Sequence, residues 1–155
     1  MDRMRESVFA ILGNLDGLSF LDLFSGSGVI GIEAASRGAE PVVLVEKDAK
    51  KRPVIGRNIA MVETGIRLVT MSAERFILTA HESFDMVFLD PPFAYEGKKR
   101  LLESVAARGL LAQSGLLLIH YPRGEVLPEQ VQDIGLEQVR RYGRSWVSFY
   151  RRAIG

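Results

Sequence analysis

The 155-residue chain has no cysteine. That excludes disulfides, thiolate metal sites and cysteine nucleophiles. Histidine is nearly absent too. His81 and His120 are the only two, neither has ligand-like partners in sequence, and no metal site is expected. No apolar run reaches the roughly 20 residues of a membrane span. The opening Met1-Asp2-Arg3-Met4-Arg5-Glu6 is too polar to lead a signal peptide. No membrane partner is expected, and the cytoplasm is the expected location. An excess of one charge is missing as well: 20 Lys and Arg against 19 Asp and Glu leave a net charge of +1. Any affinity for nucleic acid must therefore come from local clusters. Repeats, low-complexity tracts and linkers are also lacking, so residues 1–155 read as one domain with a single sizeable core.

What is present alternates. Arg3 to Leu12 carries Met4, Val8, Ile11 and Leu12 on one helical face and stops at Gly13. Strands are expected at 18–24, 41–45, 66–70, 84–89 and 115–120, with helices at 29–37, 48–61, 73–79 and 98–108 between them. Pro53 falls in the opening turns of the second of these helices, and Ser72 suits the N-cap of the third. A short helix is expected at 129–134. Strands at 136–142 and 146–151, joined at Gly143-Arg144-Ser145, have no crossover helix between them and read as an antiparallel hairpin at one edge. The expected fold is a doubly wound, Rossmann-like α/β domain with a mostly parallel seven-stranded sheet. Its ligands belong beyond the carboxyl ends of the strands.

The stretch Phe20 to Ala34 is a strand, a glycine-rich turn and a helix start. Gly26, Gly28 and Gly31 have the spacing of a dinucleotide fingerprint. Gly26 and Gly28 permit positive φ, and Gly31 permits close helix–strand packing. Asp22, four residues before Gly26, would repel a pyrophosphate but suits an ammonium group. Glu46 closes the second strand, where an acid can accept both ribose hydroxyls. A ligand with a ribose, a cationic amino-acid end and no phosphate is S-adenosylmethionine. The alternative is that Asp22 merely caps the turn and Glu46 is a solvated strand-end acid.

Asp90-Pro91-Pro92-Phe93 follows the fourth strand. Each proline holds its predecessor extended and offers no N–H. The turn thus presents two acceptors, the Asp90 carboxylate and the Pro91 carbonyl. Together they can take both hydrogens of an exocyclic amine and draw out positive charge developing on nitrogen. Phe93 offers a flat face for an extruded base. The alternative is a rigid turn with Phe93 in the core.

Leu21 to Gly28 with Gly31-Ile32-Glu33-Ala34, then Val45-Glu46, then Phe88 to Phe93 resemble the RsmD family. Those are bacterial 16S ribosomal RNA guanine-N2 methyltransferases that use S-adenosylmethionine. The opening Asp2 to Phe9 resembles the family's N-terminal cofactor-side motif; Tyr142-Gly143 and Phe149-Tyr150 resemble its terminal hairpin. The resemblance implies catalytic roles for Asp90, Pro91, Pro92 and Phe93. It implies cofactor contacts at Asp22, Phe24, Ser25, Gly26, Ser27, Gly28, Glu46, Lys47, Ser72, Ala73 and Asp90. The implied partner is 16S rRNA in an assembling small ribosomal subunit. Two departures stand out. The family has an Arg-Pro-Thr segment and a small hairpin upstream of the stretch where this chain begins, so part of a cofactor lid and an RNA contact are expected to be missing. The family also has an aspartate where this chain has Ser72, a weaker acceptor, with Glu74 as the alternative.

Arg140, Arg141, Arg144, Arg151 and Arg152 crowd the hairpin, and Lys98-Lys99-Arg100 follows the base-binding turn. Either group suits phosphate; charge on an edge strand also protects against aggregation. Lys50-Lys51-Arg52 reads as a solvated helix face, and Arg3 and Arg5 as closing over the cofactor. His120, at the end of a strand, borders the pocket in this reading. The rival functions are a DNA adenine-N6 or cytosine-N4 amino-methyltransferase, a non-catalytic cofactor-fold binding module and a nicotinamide dehydrogenase. The chain has no room for a separate DNA target-recognition domain, and Asp22 disfavours the dehydrogenase.

Overall fold

The computed structural model describes residues 2–60 and 65–154. Helix α1 (Asp2–Leu12) leads into β1 (Phe20–Leu23), α2 (Val29–Ser36) and β2 (Val42–Val45). A 3-10 turn (Ala49–Lys51) runs directly into α3 (Arg52–Ile59), followed by β3 (Ile66–Val69), α4 (Ala73–Thr79) and β4 (Phe84–Leu89). Then come α5 (Lys98–Ala107), β5 (Leu111–Pro122), β6 (Gln130–Val131), β7 (Ile134–Tyr142) and β8 (Ser145–Arg152). The helix expected at 48–61 thus opens as a tighter turn, with Pro53 just after it; Met61 lies outside the described residues.

The strands form one sheet in the order β3-β2-β1-β4-β5-β8-β7-β6. The first five are parallel. Every residue of β1 and β2 is buried, as expected for central strands covered on both faces. One face packs Leu21, Val43 and Val87 against Phe76 and Ile77 of α4 and Leu101 and Val105 of α5. The other packs Phe20, Leu44 and Phe88 against Val8 of α1, Ala34 of α2 and Ile55 of α3. The chain winds outward through β2 and β3, then returns to β4 on the far side of β1. Strand order therefore reverses between β1 and β4, which splays the loops above them and opens a crevice there.

The sheet has eight strands, not the expected seven. The eighth is β6, where a short helix is expected at 129–134. Val131 and Ile134 have helical spacing, but the same spacing fits a two-residue turn. Gln130 pairs with Gly135 and Val131 with Ile134, and Gln132 turns the chain at φ 52. The hairpin is antiparallel as expected. Its second strand, β8, lies inside, between β5 and β7.

Candidate active site

The carboxyl ends of β1, β2 and β4 open on a cavity of about 460 Å³. Its floor is the turn after β1. Phe24, Gly26 and Gly28 adopt φ values of 61, 57 and 86°, so the backbone curls in the left-handed region before α2 begins. Gly31 then packs against β2 so closely that a Cβ on it would stand 2.2 Å from Leu44 Cδ2. This approach brings the Gly31 N–H to Asp22 Oδ2, at 3.1 Å.

Asp22 is buried. Burial pushes its carboxyl well above the ordinary range; the Gly31 N–H opposes the shift, and the Asp90 and Glu46 carboxylates reinforce it. A carboxylate so placed favours any cation that enters the cavity. Ser25 Oγ, in the same floor, is buried without a hydrogen-bond partner among the described residues.

Glu46 does more than end a strand. Its Oε1 accepts from the Gly26 N–H at 2.8 Å and its Oε2 from the Asp48 N–H at 3.0 Å. Each oxygen keeps a further lone pair for a ligand hydroxyl. Ser27 and Lys47 also face the cavity, as do Asp48 and Lys51; Lys51 is thus not simply part of a solvated helix face. Ser72 does not face it. Its hydroxyl accepts from the Arg75 N–H and caps α4, and the wall there is Ala73 and Glu74. Gly28 lies behind the floor as the N-cap of α2, and among the described residues its Cβ position is crowded by Leu44 and Ile55.

Asp90 and Pro92 form the wall nearest β4. Pro91 is buried, and Phe93 is half exposed rather than in the core, its ring against His120; neither is among the residues that line the cavity. Tyr95, which sequence reasoning missed, completes the wall. Its hydroxyl donates to Glu74, and its ring stands edge-on to Phe24 at 5.4 Å. Burial and the Glu74 carboxylate hold its phenol proton above the ordinary range.

The family described as conserved hypothetical protein 95 matches residues 1–151. The chain belongs to it: the RsmD family. A proposed rRNA methyltransferase of Bacillus subtilis, YlbH, is 33% identical over 157 residues, covering 97% of this chain and 85% of that protein. Ribosomal RNA small subunit methyltransferase D of Escherichia coli K12 is 29% identical, covering 97% and 77%. The solved structure of yhhF, a proposed methyltransferase of Escherichia coli, superposes with a TM-score of 0.91 at 28% identity, covering 100% of this chain and 89% of that one.

In this RsmD-family chain the basic clusters divide into two kinds. Lys98 is buried, and its ammonium donates to the Tyr95 carbonyl at 2.8 Å and the Phe93 carbonyl at 3.4 Å, and pairs with Glu125. It pins the turn from below and is no phosphate contact, contrary to expectation; Lys99 and Arg100 remain exposed. Arg151 and Arg152 pair with Glu137 and Asp133 at the far end of the sheet, beside Ser114 and Leu111. The Asp133 carboxyl is lowered by the Arg152 hydrogen bond. Arg140, Arg141 and Arg144 lie instead near the hairpin tip, at the same end as Asp90, with Arg141 over the Trp146 ring at 4.9 Å. Arg123, absent from the expected cluster, joins them: its N–H donates to the Arg144 carbonyl. The first turn of α1, with Arg3 and Arg5, lies at this end too. Ser7 hydrogen-bonds Tyr142 there, while Phe9 stacks on Phe20 at the start of β1.

Proposed function

We propose that this protein transfers a methyl group from S-adenosylmethionine to the exocyclic N2 amine of a guanine in 16S ribosomal RNA. The observation that carries the reading is Asp22. It is a buried carboxylate with two acidic neighbours and one N–H donor, facing a cavity that ends at an acceptor-bearing turn. Such a floor repels a pyrophosphate and fits a ligand with an ammonium group. The partnerless Ser25 hydroxyl supplies a donor for the carboxylate end of the same ligand.

S-adenosylmethionine supplies an electrophilic methyl on a sulfonium. Asp22 and the Gly26 turn hold its amino-acid end, Glu46 its ribose hydroxyls, and Phe24, Lys47, Ala73 and Glu74 its base. Glu74 takes the acceptor role first assigned to Ser72, whose hydroxyl serves the helix cap. Asp90 and the Pro91 carbonyl accept the two hydrogens of the target amine and turn its lone pair toward the methyl group. As positive charge develops on that nitrogen, the Asp90 carboxylate stabilises it and takes the released proton. Phe93, half exposed two residues after Pro91, stacks on the extruded base. The choice of guanine N2 and of 16S rRNA rests on the resemblance to the RsmD family; the name of the Escherichia coli relative supports a small-subunit ribosomal RNA. A ribosomal substrate puts the reaction in the cytoplasm. Among the described residues no helix is long and apolar enough to cross a membrane, and no cluster of three His, Asp or Glu side chains is placed to hold a metal.

Incubation with labelled S-adenosylmethionine and hypomethylated small ribosomal subunits, followed by nucleoside analysis, tests the reading. N2-methylguanine is expected. Methylated adenine or cytosine as the only product would overturn the base assignment. Asp90→Ala should abolish turnover and leave cofactor affinity within about twofold, because Asp90 acts on the amine; near-normal turnover would make Asp90 structural.

A further inference from the structure

His120 is wholly buried at the carboxyl end of β5, directly beside Asp90. Its Nδ1 lies 3.0 Å from Asp90 Oδ1, and its Nε2 lies 2.8 Å from the hydroxyl of Ser145, which is also buried. The Phe93 ring stands edge-on to the imidazole, with centroids 5.7 Å apart and planes at 66°. One buried side chain thus touches both halves of the proposed amine site, the acceptor and the stacking platform. The proposed mechanism gives it no role.

We propose that His120 is the positioning residue of the transfer site, a neutral imidazole whose Nδ1–H fixes Asp90 Oδ1 and leaves Oδ2 to the substrate amine. The inference rests on the methyltransferase reading of Asp90. A carboxylate can only accept a hydrogen bond, so the short contact to Oδ1 puts the imidazole proton on Nδ1. Nε2 then needs a donor, and the Ser145 hydroxyl is the group within reach. Asp90 therefore selects the tautomer, and the Ser145 hydroxyl, which can donate or accept, satisfies the second nitrogen.

One consequence follows for the carboxylate. With Oδ1 committed to His120, the side chain cannot rotate to present either oxygen at random, so the amine meets one oriented acceptor. His120 itself carries no proton away, because its Nδ1 already holds one. The proton lost by the methylated amine goes to Asp90 Oδ2 and from there to solvent, since the Asp90 side chain is about a third exposed.

The test uses the full chain and has two arms. The first reads the imidazole directly, by nitrogen–proton correlation spectroscopy of the cofactor-free protein. With only two histidines in the sequence, His81→Gln assigns the spectrum. His120 is expected as the Nδ1–H tautomer in the wild type and as a mixture in Asp90→Ala, which removes the acceptor that fixes it. An Nε2–H tautomer in the wild type overturns the proposal whether or not the protein methylates RNA. The second arm compares His120→Asn, which keeps an N–H toward Asp90, with His120→Leu, which does not. His120→Leu should lower kcat about 10- to 100-fold, the loss of one hydrogen bond to a charged acceptor. Its cofactor Kd should stay within about twofold, and His120→Asn should recover most of kcat. If His120→Leu turns over like the wild type, or if Asn and Leu are equally impaired, the imidazole is only packing. A wild type that transfers no methyl group at all refutes the proposed function instead, and the tautomer still decides this inference.

Discussion

Asp22 is where the cost of the site falls on a single residue. Its carboxyl is raised by burial, so the native state binds a proton more tightly than the unfolded chain. The cofactor-free protein therefore loses stability as pH rises from the ordinary carboxyl value of about 3.8 through the raised one. Asp22→Asn removes that buried charge and keeps an acceptor for the Gly31 N–H. At neutral pH it should melt at or above the wild-type temperature in the absence of ligand, and it should bind S-adenosylmethionine at least about tenfold more weakly, as expected for loss of a buried ionic contact. Melting curves across pH and calorimetry measure both. A large drop in the melting temperature together with unchanged affinity would make Asp22 a structural cap. The sequence showed Asp22 as an acid out of place in a strand. It could not show the Gly31 N–H, because that contact exists only once α2 has settled on β2.

At the scale of elements, α2 depends on one missing methyl group. Gly31→Ala would place a Cβ against Leu44, forcing the helix off the sheet and its N–H away from Asp22. A loss of about 1–3 kcal/mol in urea unfolding is expected, the usual penalty for overpacking, together with weaker cofactor binding. The turn after β4 depends on Lys98. Lys98→Met leaves the Phe93 and Tyr95 carbonyls without their donor, and amide exchange across 93–97 should accelerate on the order of tenfold while the central strands stay protected. Unchanged exchange would show the turn to be held by its prolines alone. Periodicity located the parallel strands and their helices because each has its own period. It misread Lys98, since a lysine beside another lysine and an arginine looks solvated until a carbonyl-lined pocket closes around it. It also missed Tyr95 and the Asp90–His120–Ser145 chain. The members of that chain are separated by 25 and 30 residues and meet only because β5 lies beside β4 and β8 beside β5.

At the scale of the whole molecule, a net charge of +1 hides a division between the two ends of the sheet. Arg151 and Arg152 are neutralised by their partners at one end, while Arg123, Arg140, Arg141 and Arg144 are exposed toward the other. Reversing Arg140 and Arg144 to glutamate should raise KM for RNA and reduce the slope of log affinity against log salt by roughly 1–2. The same change at Arg151 and Arg152 should not. Equal effects from both pairs would mean that the hairpin tip is no RNA surface. The position of β8 also has a consequence for how the molecule is made. Synthesis proceeds from β1 to β5 before β7 exists, and Ser145, which holds His120, arrives with the strand that enters the sheet after all its neighbours have been made. A nascent chain can wind the parallel half of the sheet while still tethered, but β5 then waits as a bare edge. The proposed amine acceptor stays unbraced until the hairpin folds back between strands already present. Competence to transfer a methyl group thus waits on the synthesis of β8.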